Sequence, residues 1–274
     1  MSRIHDALKQ MDITREPEIS ASPLPRMREV EDVPAILSLL NTASETAWEF
    51  DPTIALSFDD PSPKAAEEFR SLRLRFQQIR ERQPLRSVVV TSALGGEGKS
   101  FVAVNLSRVL ALQSSSRVLL IDGDLRGRQQ HKTFGVPPGP GLSEYLLGEA
   151  EEHEVLQRGK DENLFLIPAG RKVGGTTELI ANGRFPTLVT RLSALFDWII
   201  VDSAAATGVS DTCLLANSCH GILMVVRSHK TPVDDVRRAL ERFPEASYLG
   251  IVLNEIHDAK GSKPTTRFKS DSEL

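Results

Sequence analysis

The stretch Ser87-Val88-Val89-Val90-Thr91-Ser92-Ala93-Leu94-Gly95-Gly96-Glu97-Gly98-Lys99-Ser100 decides the fold. Residues 87–92 are a continuous, largely β-branched run, the pattern of a strand buried on both faces. A helical pattern begins at Lys99 and runs to residue 113. The glycine-rich turn between them therefore sits where a P-loop must sit, after a buried strand and before a helix. Gly95, Gly96 and Gly98 let backbone N–H groups turn inward and approach phosphate oxygens without Cβ clashes. The helix N-terminus adds its partial positive charge. Lys99 would bridge the outer phosphates, and the Ser100 hydroxyl would ligate Mg²⁺. The first glycine of the usual pattern is Ala93 here. A turn that merely joins strand to helix is the competing reading, and the context outweighs it.

Strand and helix alternate on both sides of this stretch. Residues 117–121, 163–168, 196–201, 221–226 and 249–253 read as further short apolar strands. Residues 65–80, 177–181, 186–196, 211–218 and 233–242 read as helices. Apolar strands alternating with helices predict a parallel sheet covered on both faces, which binds ligands outside the carboxyl ends of its strands. Two of these strands end in acids. Val118-Leu119-Leu120-Ile121 runs into Asp122-Gly123-Asp124-Leu125-Arg126, and Trp198-Ile199-Ile200-Val201 runs into Asp202. Either acid alone could simply cap the next turn. Together with the P-loop they supply three carboxylates, Asp122, Asp124 and Asp202, for one metal–nucleotide site. Mg²⁺ suits such a site, because it takes few carboxylates plus water and phosphate oxygens.

Composition bounds the rest. The chain has 274 residues, 40% of them hydrophobic and 26% charged, so a packed core is expected and global disorder is excluded. Lys and Arg total 33 against 37 Asp and Glu, a net charge of −4, which argues against nucleic acid as a partner. The longest apolar runs are too short to span a bilayer. Cys213 and Cys219 make neither a disulfide framework nor a zinc site, and the six histidines are scattered. A reducing, cytoplasmic location is expected. The domain is assigned to residues 61–257. Residues 1–60 read as an extension with a short helical stripe (Ile4, Leu8, Met11), a one-faced helix over 33–40 and a Pro-containing linker over 41–63. Residues 258–274 read as a disordered tail.

These motifs, over residues 64–254, resemble the cytoplasmic domain of the bacterial tyrosine kinases of capsule and exopolysaccharide systems. A Glu67-x-x-Arg70-x-x-Arg73 helix precedes the P-loop, Asp122-x-Asp124-x-Arg126 matches the second acidic motif, and Asp202 and Asp211 fall at the Walker B acid and its downstream partner. Asn254 ends the strand whose last residue lies near the nucleotide base in that family. Gly141-Leu142-Ser143, Leu147-Gly148-Glu149 and the leader Met1–Lys9 are similar too. The resemblance implies a three-layer P-loop NTPase fold, a mostly parallel sheet with helices on both faces, and Mg-ATP as the phosphoryl source. It implies catalytic roles for Lys99, Asp122, Asp124 and Asp202, with Asp122 accepting or orienting the tyrosine hydroxyl proton. Nucleotide contacts would come from Gly95, Gly96, Glu97, Gly98, Lys99, Ser100, Phe101, Arg126 and Asn254, and metal ligands from Ser100, Asp124 and Asp202. Glu67, Arg70 and Arg73 would support a homo-oligomer. A separate membrane activator of the polysaccharide system and protein tyrosines in trans are the implied partners, with contact to the inner membrane through that activator.

Three positions depart from the family pattern. Only Tyr145 and Tyr248 are present, and residues 256–274 contain no tyrosine, so the usual C-terminal tyrosine cluster is missing. Ala204 and Ala205 replace two prolines after the Walker B acid, and Gly127-Arg128 replaces an arginine-proline pair. An ATP-gated regulatory module that phosphorylates nothing is the alternative these departures raise. A partition-type ATPase would carry a second lysine where Leu94 stands, and an electron-transferring iron–sulfur ATPase would need paired cysteines.

Overall fold

A computed structural model describes residues 40, 43–58, 64–159, 163–208, 210–244, 247–256 and 265–269. In chain order the first elements are β1 (Ser44–Glu45), α1 (Lys64–Arg82), β2 (Ser87–Ser92), α2 (Lys99–Ala111), β3 (Val118–Asp122), α3 (Gln130–Phe134), α4 (Leu142–Leu147), α5 (Glu152–Val155) and β4 (Gln157–Arg158). Then come β5 (Leu164–Ile167), α6 (Thr176–Ile180), α7 (Arg184–Leu192), β6 (Trp198–Asp202), α8 (Asp211–Ala216), β7 (Gly221–Arg227), α9 (Val233–Leu240), β8 (Tyr248–Ile256) and β9 (Thr265–Lys269).

The strands form one sheet in the order β1-β4-β5-β3-β6-β2-β7-β8-β9. The six from β5 to β8 are all parallel, as their continuous apolar character predicts. β4 and β9 join antiparallel to their neighbours, and β1 joins parallel to β4. Period-two alternation divides the strand side chains between two cores. Val89, Leu119, Ile121, Ile199, Val201, Ile222 and Met224 face the layer of α4, α6, α7, α8 and α9. Val88, Val90, Val118, Leu120, Ile200, Leu223 and Val225 face α1, α2 and α3. Each fully buried aliphatic side chain contributes about 1.5–3 kcal/mol. Helix α2 is buried along most of its length because the sheet lies under it and α1 over it. Phe69 and Phe76 of α1 meet the rings of Phe101 and Trp198 at 5.8 Å.

Two expectations for the ends are corrected. Residues 43–58, expected within a linker, form a strap docked on the body. Trp48 and Phe50 pack on Phe134 at 4.8 and 5.0 Å between ring centroids, and Ala55 and Phe58 are buried. The buried Asn105 of α2 accepts from the Leu56 N–H and donates to the Ile54 carbonyl, both at 2.8 Å. Trp48, Phe50, Ile54, Leu56 and Phe58 alternate at every second residue as in a strand, but Pro52 interrupts the run and the segment pairs into the sheet only at Ser44–Glu45. Residues 265–269, expected in a disordered tail, pair as β9 against β8. The helix expected at 1–11 and all but the last residue of the one at 33–40 lie outside the described residues.

Candidate functional site

The sheet order brings β3, β6 and β2 side by side, so the three predicted motifs meet at one carboxyl edge. Asp122 and Asp202 are register partners across β3 and β6, and Asp202 is also opposite Val90 of β2. The Gly123 N–H donates to the Asp202 carbonyl at 2.8 Å. A Cβ at Gly123 would lie 2.8 Å from that same oxygen, so only glycine lets the two strand ends close. Asp122 is 0% and Asp202 1% exposed.

The P-loop is shaped by its own acid. Glu97 is turned inward, and its carboxylate accepts from the Leu94 N–H at 2.7 Å, the Arg227 N–H at 3.3 Å and the Thr231 hydroxyl. The Asn254 Nδ2 donates to the Glu97 carbonyl at 2.9 Å. Gly98 caps α2 with φ of 90°, and a Cβ there would fall 2.0 Å from Asn254 Nδ2, so glycine is required twice over. Glu97 and Asn254, expected to contact nucleotide, thus brace the loop. Phe101 packs its ring on Phe69 of α1.

The charged groups are arranged in tiers. Lys99 Nζ lies 3.6 Å from Asp124 Oδ2. The Asp124 Oδ1 accepts from the Gly127 N–H at 2.8 Å, fixing the turn after β3. Arg126, also expected at the nucleotide, donates from Nε to Asp211 Oδ2 at 3.0 Å. Asp211 accepts further from Thr176 and Thr177 at 2.8 and 2.5 Å. Burial pushes the Asp211 carboxyl upward, but these donors outweigh it and hold it below the ordinary range. Asp122 is driven well above the ordinary range by burial and then by the neighbouring Asp202 charge. Burial likewise raises Asp202, to about 6, although Lys99, the Ser100 hydroxyl and Gln130 pull it down.

One side chain with no signal in the sequence completes the cluster. Gln130, the first residue of α3, is fully buried; its backbone N–H donates to Asp122 Oδ2 at 3.0 Å and its Nε2 donates to Asp202 Oδ2 at 2.7 Å. Asp122 Oδ1 and Asp202 Oδ1 are buried without a hydrogen-bond partner. Such orphaned carboxylate oxygens fit a cation. Among the described residues, however, no three Asp, Glu, His or Cys side chains converge to hold a metal unaided. The expected set of three acids is therefore not a closed cage. A metal here would complete its shell from the Ser100 hydroxyl, water and phosphate, as Mg²⁺ does.

The expected interface residues are largely engaged within the chain. Arg70 pairs with Glu67 at 2.9 Å and donates to the Phe58 carbonyl at 2.8 Å, and Arg73 donates to the Val109 carbonyl at 3.3 Å. Both tyrosines are engaged within the chain: Tyr145 is buried with its ring under Arg184, and the half-buried Tyr248 donates its hydroxyl to the Leu240 carbonyl at 2.5 Å. None of the helices among the described residues is long and apolar enough to cross a membrane.

Comparison with known proteins agrees with this geometry. Residues 85–242 match the family model described as an AAA domain. The chain is 29% identical over 201 residues to tyrosine-protein kinase YwqD of Bacillus subtilis, covering 73% of this chain and 84% of that protein. Longer curated relatives, 30–32% identical, are matched over 26% of their own length, so the chain spans about a quarter of them. The kinase domain of Escherichia coli tyrosine kinase ETK superposes with a TM-score of 0.71 at 27% identity, covering 82% of this chain and 93% of that one. The septum site-determining protein MinD of Pyrococcus horikoshii, solved with Mg-ADP, superposes with a TM-score of 0.53 at 25% identity over 66% of this chain and 74% of that one.

Proposed function

We propose, since the chain belongs to the AAA domain family and within it to the bacterial tyrosine kinases, that it transfers the γ-phosphoryl group of ATP to tyrosine on another protein. The observation that carries this reading is the meeting of Lys99, Asp122, Asp124 and Asp202 at one sheet edge beside the P-loop. The backbone amides at residues 95–100 and the Lys99 ammonium would cradle the phosphates. Mg²⁺, held by Ser100 and Asp202 with Asp124 assisting, would neutralise charge on the phosphate oxygens. Asp122 would take the proton of the attacking tyrosine hydroxyl as the new O–P bond forms and the bond to ADP breaks. Its raised affinity for a proton suits that task.

Tyr145 is buried and the hydroxyl of the half-buried Tyr248 is held by the Leu240 carbonyl, so the reading takes the acceptor from another polypeptide. Service to exopolysaccharide or capsule assembly, a membrane activator as partner, and self-association over the α1 face rest on the family resemblance. Within that face Glu67 is the mostly exposed member, with a side chain 70% exposed.

The test incubates pure protein with γ-labelled ATP, activator peptide and a tyrosine-containing acceptor. Label should pass to tyrosine, and Asp122→Asn should lower the rate by about 10²–10⁴-fold while leaving nucleotide binding intact. Tight ATP binding with no transfer to any acceptor would favour the regulatory module instead.

A further inference from the structure

Among the described residues, Gln130 is the one that hydrogen-bonds both strand-end acids, one through its backbone and one through its side chain. It holds each by a single oxygen, Asp122 Oδ2 through its backbone N–H at 3.0 Å and Asp202 Oδ2 through its amide Nε2 at 2.7 Å. The second oxygen of each acid is left buried and unpartnered, and so is Gln130 Oε1. Three buried acceptors without donors cost about 1–3 kcal/mol each, a cost a purely structural amide would not incur. Unsatisfied groups of this kind accumulate where a site is built for something else.

We propose that Gln130 is a positioning residue for phosphoryl transfer: it fixes one oxygen of each acid so that the other stays available, that of Asp122 for the acceptor hydroxyl and that of Asp202 for magnesium, and it offers its own Oε1 to water on that ion. The proposal rests on the functional reading given above. The residue type follows from the geometry. An amide supplies donor and acceptor together, a carboxylate would add a third negative charge between two buried acids, and an aliphatic chain would release Asp202. The partners that hold metal-ligating carboxylates in this way typically matter 10–100-fold.

Gln130 is itself held from outside the site. Helix α3 has only five residues and cannot stand alone. Its last residue, Phe134, is gripped by Trp48 and Phe50 of the strap, and the Glu49 and Asp51 N–H groups donate to the Phe134 and Thr133 carbonyls at 3.0 and 2.9 Å. The strap thereby sets where the glutamine stands.

The test uses the whole chain. Gln130→Met keeps length and volume but removes the amide. ADP affinity is measured by calorimetry without and with Mg²⁺, and Mn²⁺ binding to the ADP complex by electron paramagnetic resonance. Metal-free ADP affinity should stay within about twofold of wild type, while the metal-dependent gain falls about 10–100-fold. The kcat for acceptor phosphorylation should fall by a similar factor with the acceptor KM unchanged. Should Gln130→Met fail to fold, Gln130→Asn carries the same expectation, because its amide is one methylene short of Asp202. An unchanged metal-dependent gain overturns the proposal. A joint loss of metal-free ADP affinity and melting temperature also overturns it, as the mark of a merely structural residue. A wild-type protein that binds no adenine nucleotide removes the functional reading itself, and that outcome is read without any variant.

Discussion

His220 lies just before β7, where the Ser87 N–H donates to its Nδ1 at 3.2 Å and the Ser87 hydroxyl is 2.6 Å from the same nitrogen. Burial first, and the Arg86 charge second, hold its pKa below the ordinary 6.5. The unfolded chain therefore takes up a proton near pH 6.5 that the folded chain refuses. This contribution to stability is present above that pH and is lost as the pH falls through it. The buried acids Asp122 and Asp202 act with the opposite sign, since their raised values make the folded state the better proton binder. Thermal melts of wild type and His220→Gln between pH 7 and 5 isolate the histidine: the difference in melting temperature between the two should shrink or reverse toward pH 5, and a constant difference would refute the assignment. Asp122 and Asp202 were legible because a charged residue ending an apolar strand is a local pattern, and Lys99 because a lysine closing a glycine-rich turn ahead of a helix is another. Gln130 was not, because a glutamine in a polar stretch carries no signal until the fold sets it between two carboxylates.

Among the elements, the six central strands and helices α1, α2, α6, α7, α8 and α9 were readable from apolar runs and local pattern. The remaining short pieces were not. Helices α3, α4 and α5 have four to six residues, too few for a periodic face, and β1 and β4 have two residues each. The strap shows the consequence. Trp48 is half-buried against Phe134, and Gly159 leaves room for its ring, since a Cβ there would fall 2.5 Å from it. Trp48→Ala should cost about 2 kcal/mol, less than the ~3–5 kcal/mol of a fully buried aromatic ring. At this size that is a loss of roughly 4–8 °C in melting temperature. Differential scanning calorimetry checks it, and a variant that melts like wild type would mean that the strap does not bear on the body.

At the scale of the whole molecule, a ligand gripped at the junction of β2, β3 and β6 ties together strands from the centre of the sheet. Binding that favours only the folded chain stabilises it by about 2.7 kcal/mol at a hundredfold excess over Kd. Mg-ADP at that excess should raise the melting temperature by roughly 5–10 °C. Lys99→Ala should abolish most of the rise, and a wild-type melt indifferent to Mg-ADP would count against the site. The sequence by itself determined the layered α/β class, the phosphate-binding turn and the strand-end acids, because each depends on residues adjacent in the chain and on backbone geometry that glycine, β-branching and strand ends dictate locally. The tertiary structure alone decided that Asp122 stands beside Asp202, that Glu97 and Asn254 brace the loop, that residues 43–58 dock on the body and that Gln130 bridges the acids. Those facts depend on strand order and on which buried groups find one another across 50 or more residues, and burial and hydrogen-bond satisfaction are settled only when the whole chain has packed.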